Sequence, residues 1–187
     1  MEKPWPADPQ VYPVREDTLL LCDAVLSEVR RGDRVLEIGT GSGYISAALS
    51  PETPVLASDI SPHAVREAAR HGVCVVRADL IQGIRGPFDL VVFNPPYLPT
   101  SPGERIDDWL EHALDGGRTG REVIDRFIGE VRGVLSPGGR VLLLVSSLTG
   151  IPEILGKFRE EGFSPVIVRR SSIEGEELVV IRAQRAG

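Results

Sequence analysis

Five short apolar runs, at residues 34–38, 54–58, 73–77, 88–93 and 140–145, recur along the chain, and between them apolar residues fall at helical spacing. Parallel strands need a crossover long enough to hold a helix, so this alternation predicts a doubly wound α/β sheet. Strands buried on both faces read as unbroken apolar stretches, as these do. In such sheets a ligand sits at the carboxyl ends of the strands, so the residues that close each run are the first candidates for function.

The helices follow from spacing and from stop signals. Residues 17–29 place Leu19, Cys22, Val25, Leu26 and Val29 on one predicted inner face. A short helix is expected over 44–49, and Ser61-Pro62 supplies a cap and a first-turn proline for the next, whose inner face reads Ala64, Val65, Ala68 and Ala69. Residues 121–135 turn Val123, Ile124, Phe127, Ile128, Val131 and Val134 inward, and Ser136-Pro137-Gly138-Gly139 suits a tight turn. A helix over 152–160 precedes two strands, 165–169 and 177–182, whose short Glu174-Gly175 link predicts an antiparallel hairpin. The expected architecture is Rossmann-like, a seven-stranded mostly parallel sheet ending in that hairpin. Residues 1–187 read as one domain, with a proline-rich N-terminal arm over 1–16 and a long aperiodic loop over 98–119 that suits a substrate loop or lid.

Charge narrows the partners. With 21 basic and 27 acidic residues the chain carries a net charge of −6, which disfavours nucleic acid and anionic membrane. The longest aliphatic run, 141–145, is far too short to cross a bilayer, and residues 1–10 do not resemble a signal peptide, so a cytoplasmic protein is expected. Cys22 and Cys74 stand alone in apolar segments, read as buried thiols, and make no metal site. His63, His71 and His112 are scattered and read as surface or packing residues.

Strand one runs straight into Glu37-Ile38-Gly39-Thr40-Gly41-Ser42-Gly43 and then a helix, so bare backbone can approach a nucleotide there. A dinucleotide loop spaces its glycines as G-x-G-x-x-G; here the third comes one residue early and Glu37 precedes the run, which points away from NAD. No Gly-Lys-Ser/Thr end follows, which excludes a phosphate-gripping P-loop. Asp59, followed by Ile60, closes strand two, where a carboxylate can accept from ribose hydroxyls, and Asp79, next to Leu80, follows strand three, where it can accept from an adenine amino group. Acid at three successive strand ends after this glycine loop resembles the S-adenosylmethionine site of class I methyltransferases.

Asn94-Pro95-Pro96-Tyr97 ends strand four, and Asn94 is the only asparagine in the chain. Two successive prolines lack N–H groups, so this corner offers acceptors alone, apart from the Asn side chain. That suits an NH₂ group. Accepting both hydrogens of a planar amide or aromatic amine, at Asn94 Oδ1 and the Pro95 carbonyl, favours the pyramidal nitrogen that attacks a methyl, while Tyr97 stacks on the planar group. Positioning and electrostatics then supply the rate without a charged base.

These motifs resemble the HemK-related release-factor glutamine methyltransferases, specifically their short archaeal and eukaryotic type. The likeness extends to Glu16-Asp17-Thr18 and to Ala113-Leu114-Asp115-Gly116-Gly117-Arg118-Thr119-Gly120-Arg121-Glu122-Val123-Ile124-Asp125-Arg126-Phe127. The resemblance implies that Thr18, Glu37, Gly39, Asp59, Asp79, Leu80 and Asn94 contact the methyl donor, with Gly41, Gly43 and Ile60 beside them. It implies a protein substrate, the glutamine of the Gly-Gly-Gln loop of a class I release factor. Bacterial relatives carry an added N-terminal helical domain for which 187 residues leave no room, so docking is expected to fall to the 98–119 loop, the arm or another subunit. The resemblance also implies a small zinc-binding activator that adds a strand to the sheet edge, here Val73-Cys74-Val75-Val76, which carries no guarding charge.

Two other readings fit the motifs. Adenine's exocyclic amine would suit Asn94 to Tyr97 equally, although the charge and the lack of basic and aromatic interleaving oppose a nucleic-acid substrate. A non-catalytic scaffold or cofactor sensor is the other, and the intact Asn94 turn opposes it.

Overall fold

In the computed structural model residues 6, 8–49, 51–100, 108–173 and 175–185 are described. The elements run α1 (Glu16–Glu28), β1 (Val35–Ile38), α2 (Tyr44–Ala48), β2 (Val55–Asp59), α3 (Pro62–Arg70), β3 (Val75–Arg77), β4 (Phe88–Phe93), α4 (Trp109–His112), α5 (Glu122–Val131), β5 (Leu135–Ser146), α6 (Ile151–Glu160), β6 (Phe163–Ile173) and β7 (Glu176–Arg185). They build one seven-stranded sheet in the order β3-β2-β1-β4-β5-β7-β6. Strands β1 to β5 pair in parallel, whereas β7 runs antiparallel to both β5 and β6. The predicted sheet and its C-terminal hairpin are therefore present. Among the described residues no helix is long and apolar enough to cross a membrane.

Two cores form because alternate residues of each strand face opposite sides. Leu36, Ile38, Val91, Phe93, Val141, Leu143 and Val145 pack with α5 and α6 on one face. Val35, Leu90, Val92, Leu142 and Leu144 pack with α1 and α2 on the other. The side chain of Ser61 accepts from the N–H groups of His63 and Ala64, as the capping signal predicts.

Four expectations need correction. Helix α1 buries Asp17, Leu21, Cys22, Ala24 and Val25, whereas Leu19 and Leu26 are 45% and 48% exposed. The helix is rolled so that Asp17 faces inward, and at about 100° per residue Leu19 and Leu26 then lie on the opposite side. Cys74 is exposed, because it leads into β3 at the open edge where no further strand covers it. Ala69 likewise points to solvent from α3. Residues 136–139 are not a turn ahead of a strand: β5 begins at Leu135, and they form a bulge between the pairs Phe88↔Leu135 and Leu90↔Arg140, with Gly138 at φ 72°.

Candidate active site

A cavity of about 290 Å³ opens at the carboxyl ends of β1, β2, β3 and β4, where the topology predicts a ligand. It is lined by Thr18, Glu37, Gly39, Gly41, Asp59, Ile60, Asp79, Leu80 and all of Asn94, Pro95, Pro96 and Tyr97. Gly43 is the one expected site residue outside the lining. A Cβ there would stand 3.0 Å from the Cα and Cβ of Ala68, so Gly43 serves the close packing of the loop against α3.

The glycine loop is held by carboxylates. Glu37 is buried, and its Oε2 accepts from Thr40 Oγ1 (2.8 Å), Ser46 N (3.0 Å) and Ser46 Oγ. Burial pushes its carboxyl up to about 7, with the bonds from Ser46 and Thr40 pulling back against it. Asp59 accepts from Gly41 N (2.9 Å) and Ser61 N (2.8 Å) and is raised by burial against those bonds. Gly39 sits at φ 61°, and a Cβ there would press on the Phe93 ring at 3.1 Å, so the first turn of the loop admits only glycine.

Beyond β3, Leu80 is the one non-glycine residue among those described with positive φ, at 49°, and it is buried. Left-handed backbone at a branched residue costs about 1–2 kcal/mol, and here it turns the chain along the cavity wall. Asp79 pairs with Arg126 from α5. Asn94 donates from Nδ2 to Asp17 Oδ2 (3.2 Å), while its Oδ1 is buried and has no partner among the described residues. Burial raises the Tyr97 hydroxyl above its ordinary range, so it stays neutral.

The arm and the long loop complete the enclosure. Gln10, Val11, Tyr12 and Val14 line it from the arm, and Leu98, Trp109, His112 and Leu114 from the loop. The Trp109 backbone N–H donates to Gln10 Oε1 (3.1 Å), and the Arg77 guanidinium lies 5.7 Å from the Trp109 ring centre. Part of the predicted lid, residues 101–107, falls outside the described residues, as do Trp5 and most of the arm's first seven residues. The described part carries the short helix α4 and a bridge between Leu98 and Asp115. Gly120, at φ 72°, explains the glycine-rich segment before α5: a Cβ there would meet the Tyr97 carbonyl at 2.5 Å, so this loop braces the Asn94 turn.

Asp17, Tyr12, Gln10 and Arg126 also line the site, beyond the residues that the sequence pattern singles out. Arg126 sits on a helix read for its apolar face, and Asp17 on one read for the wrong face. Glu16-Asp17-Thr18 was the only signal that pointed there.

Residues 15–107 match the family model described as Methyltransferase small domain. A Methanocaldococcus jannaschii protein provisionally named a protein N5-glutamine methyltransferase is 42% identical over 185 residues, 95% of this chain and 93% of that one. The Release factor glutamine methyltransferase of Deinococcus radiodurans is 35% identical over 97% of this chain and 69% of its own.

The chain belongs to the protein glutamine methyltransferase family.

Among solved structures, the E. cuniculi Mtq2-Trm112 complex, described as responsible for methylating the eRF1 termination factor, matches with a TM-score of 0.81 and 34% identity, covering 95% of this chain and 99% of that one. As a glutamine methyltransferase this chain thus aligns along nearly its whole length with a solved relative.

Proposed function

We propose that this protein methylates the side-chain amide nitrogen of the glutamine in the Gly-Gly-Gln loop of a class I release factor, using S-adenosylmethionine. The observation that carries the reading is Asn94 Oδ1, a buried acceptor without a donor at the wall of the cavity, beside two prolines that have no N–H to offer it. An unsatisfied buried acceptor costs about 1–3 kcal/mol, which an incoming NH₂ group recovers.

The residues present fit the methyl donor. At Gly41 a Cβ would meet nothing within 4 Å, so bare backbone faces open space, and the Asp59 and Asp79 carboxylates offer acceptors for ribose hydroxyls and an amino group. Thr18, Glu37, Gly39, Gly41, Asp59, Ile60, Asp79, Leu80 and Asn94 would hold it, with Arg126, which is nearly half exposed, free to swing off Asp79. Bound there, the donor would supply a sulfonium-activated methyl to the amide nitrogen, the sulfur keeping the bonding pair as a neutral thioether and the displaced amide proton leaving to water. Asn94 Oδ1 and the Pro95 carbonyl accept from the two amide hydrogens and hold the nitrogen lone pair out of conjugation. Pro96 keeps competing donors away, and Tyr97 packs on the planar amide.

In this reading the single domain binds its substrate through the arm and the 98–119 loop, in the cytoplasm. A small zinc-binding activator pairs with the β3 edge, in support of which Val76 is 40% exposed, Cys74 is exposed, and the E. cuniculi relative was solved with Trm112; Arg77, the one charge on β3, donates to the Ile60 carbonyl. The test offers labelled S-adenosylmethionine, the host's release factor and its nucleic acids side by side, with the activator co-expressed. Label on the Gly-Gly-Gln glutamine is expected; label on adenine, or on nothing while the donor binds, would overturn the substrate. Protein that is soluble and fully active alone would remove the activator.

A further inference from the structure

We infer that Asp17 is the positioning residue that sets which way round the Asn94 carboxamide faces, and so makes Asn94 an acceptor toward the substrate. The inference rests on the amide-methylation reading only in requiring a substrate that presents an NH₂ group. Asp17 is 4% exposed, and four donors converge on it: Thr18 N at 2.6 Å, Thr18 Oγ1 at 3.2 Å, the Tyr12 hydroxyl at 3.2 Å and Asn94 Nδ2 at 3.2 Å. A carboxylate has acceptors alone, so the end of Asn94 that faces it must be the NH₂. The two ends of a carboxamide are nearly the same size, and packing cannot tell them apart. Only the partner can.

Reversal of the amide would set Asn94 Oδ1 against Asp17 Oδ2 and turn an NH₂ toward the incoming NH₂, leaving like against like on both sides. With Asp17 in place, Oδ1 is instead the buried, unpartnered atom. Tyr12 reinforces this arrangement. Burial and the nearby Asp17 charge raise its hydroxyl, which keeps it a donor. A plain helix-cap role for Asp17 would account for the bond from Thr18 N, but not for the bond from Asn94, 77 residues away.

The test separates the two roles. Asp17→Asn keeps an oxygen for the Thr18 N–H but lets the Asn94 amide reverse; kcat is expected to fall about a hundredfold, the loss typical of a misdirected transition-state partner. Affinity for S-adenosylhomocysteine by calorimetry and the KM for protein substrate are expected to stay within about threefold. Asn94→Asp alone places two carboxylates face to face and is expected to be equally impaired. The reciprocal pair, Asp17→Asn with Asn94→Asp, restores one carboxylate facing one amide and leaves an acceptor oxygen free, so its kcat is expected to return to within about tenfold of wild type. Near-normal kcat in Asp17→Asn, or a double variant no faster than the slower single one, would overturn the assignment.

Because Asn94 is the only asparagine, selective ¹⁵N-asparagine labelling gives one side-chain NH₂ pair, a readout independent of any substrate. Slow hydrogen exchange of that pair is expected in wild type and its loss in Asp17→Ala; unprotected protons in wild type would also sink the idea. Failure of wild type to label a release factor, with these signatures intact, would remove the substrate reading and leave the role of Asp17 standing.

Discussion

The strand ends and the segments that enclose them are built in different ways. At the strand ends, Glu37, Asp59 and Asn94 are fixed by the parallel register of β1, β2 and β4 and by hydrogen bonds to Thr40, Ser46, Gly41 and Asp17. Beyond the backbone bridge from Leu98 to Asp115 and the Tyr12 bond to Asp17, the arm and loop hang on side-chain tethers: Asp8 to His63 at 2.9 Å, Gln10 to the Trp109 backbone N–H, and Arg77 over the Trp109 ring. Tethers between partly exposed groups are each worth roughly 1 kcal/mol or less, whereas a buried network fails only as a whole. The difference assigns the chemistry to the strand ends and substrate capture to the enclosure, so changes in the first should move kcat or stability and changes in the second KM.

The hardest test of that division is Asn94→Ala. Transfer is expected to fall by at least about a thousandfold, the upper range for loss of a preorganised transition-state partner, while donor affinity changes by less than about fivefold. Single-turnover kinetics beside calorimetry check both numbers. Loss of donor binding with turnover kept at saturating donor would show that Asn94 holds the donor alone.

Glu37 carries the next largest effect, on stability. Its carboxyl is raised from its ordinary 4.5 to about 7 by burial, so between those values the folded protein binds a proton that the unfolded chain does not. The group's contribution is therefore full below about pH 4.5 and is lost as pH rises through 7. The loss comes to about 3 kcal/mol. Glu37→Gln keeps an acceptor for Ser46 and has no proton to release. The stability of wild type relative to this variant should thus shrink by about 3 kcal/mol between pH 4.5 and 8 in denaturant titrations. A constant difference across that range would mean that Glu37 stays ionised in the fold.

What could be read from the sequence divides along the same line. The strand ends were legible because they are local: an apolar run, a glycine loop or a proline turn, and the acid between them occupy consecutive positions. Glu37, Asp59, Asp79 and Asn94 converge because the parallel register aligns strand ends, which alternation alone predicts. Asp17 was not legible, because its partner lies 77 residues away and its helix was read by the apolar period of Leu19, Cys22, Val25 and Leu26. The face of α1 that packs carries Leu21, Cys22, Ala24 and Val25 together with Asp17, which leaves Leu19 and Leu26 on the outer side. Cys74 was misread for a related reason, since an apolar run does not say whether it lies inside the sheet or at its edge.

On the enclosure, Trp109→Ala removes the ring under Arg77 and leaves the backbone N–H that Gln10 accepts from in place. Raising KM for the protein substrate by about three- to tenfold at nearly unchanged kcat is the expected result, the size of one cation–π and packing contact. A fall in kcat with KM unchanged would place Trp109 among the groups that act on the reacting atoms and break the division.

The smallest effect belongs to α1's outer face, where the sequence pattern and the fold disagree most. If Leu26 were a core residue, as its spacing with Cys22 and Val25 suggests, replacing it by glutamine would open a cavity and bury an amide, at a cost of about 2–5 kcal/mol. At 48% exposure it loses little packing, and Gln is as good a helix former as Leu, so Leu26→Gln should shift stability by no more than about 0.5 kcal/mol. The comparison that matters is with Leu21→Ala, about one helical turn on from Asp17 and fully buried, which should cost about 3 kcal/mol and drag kcat down through Asp17. Equal losses from the two leucines would mean that α1 is rolled as its apolar spacing predicts.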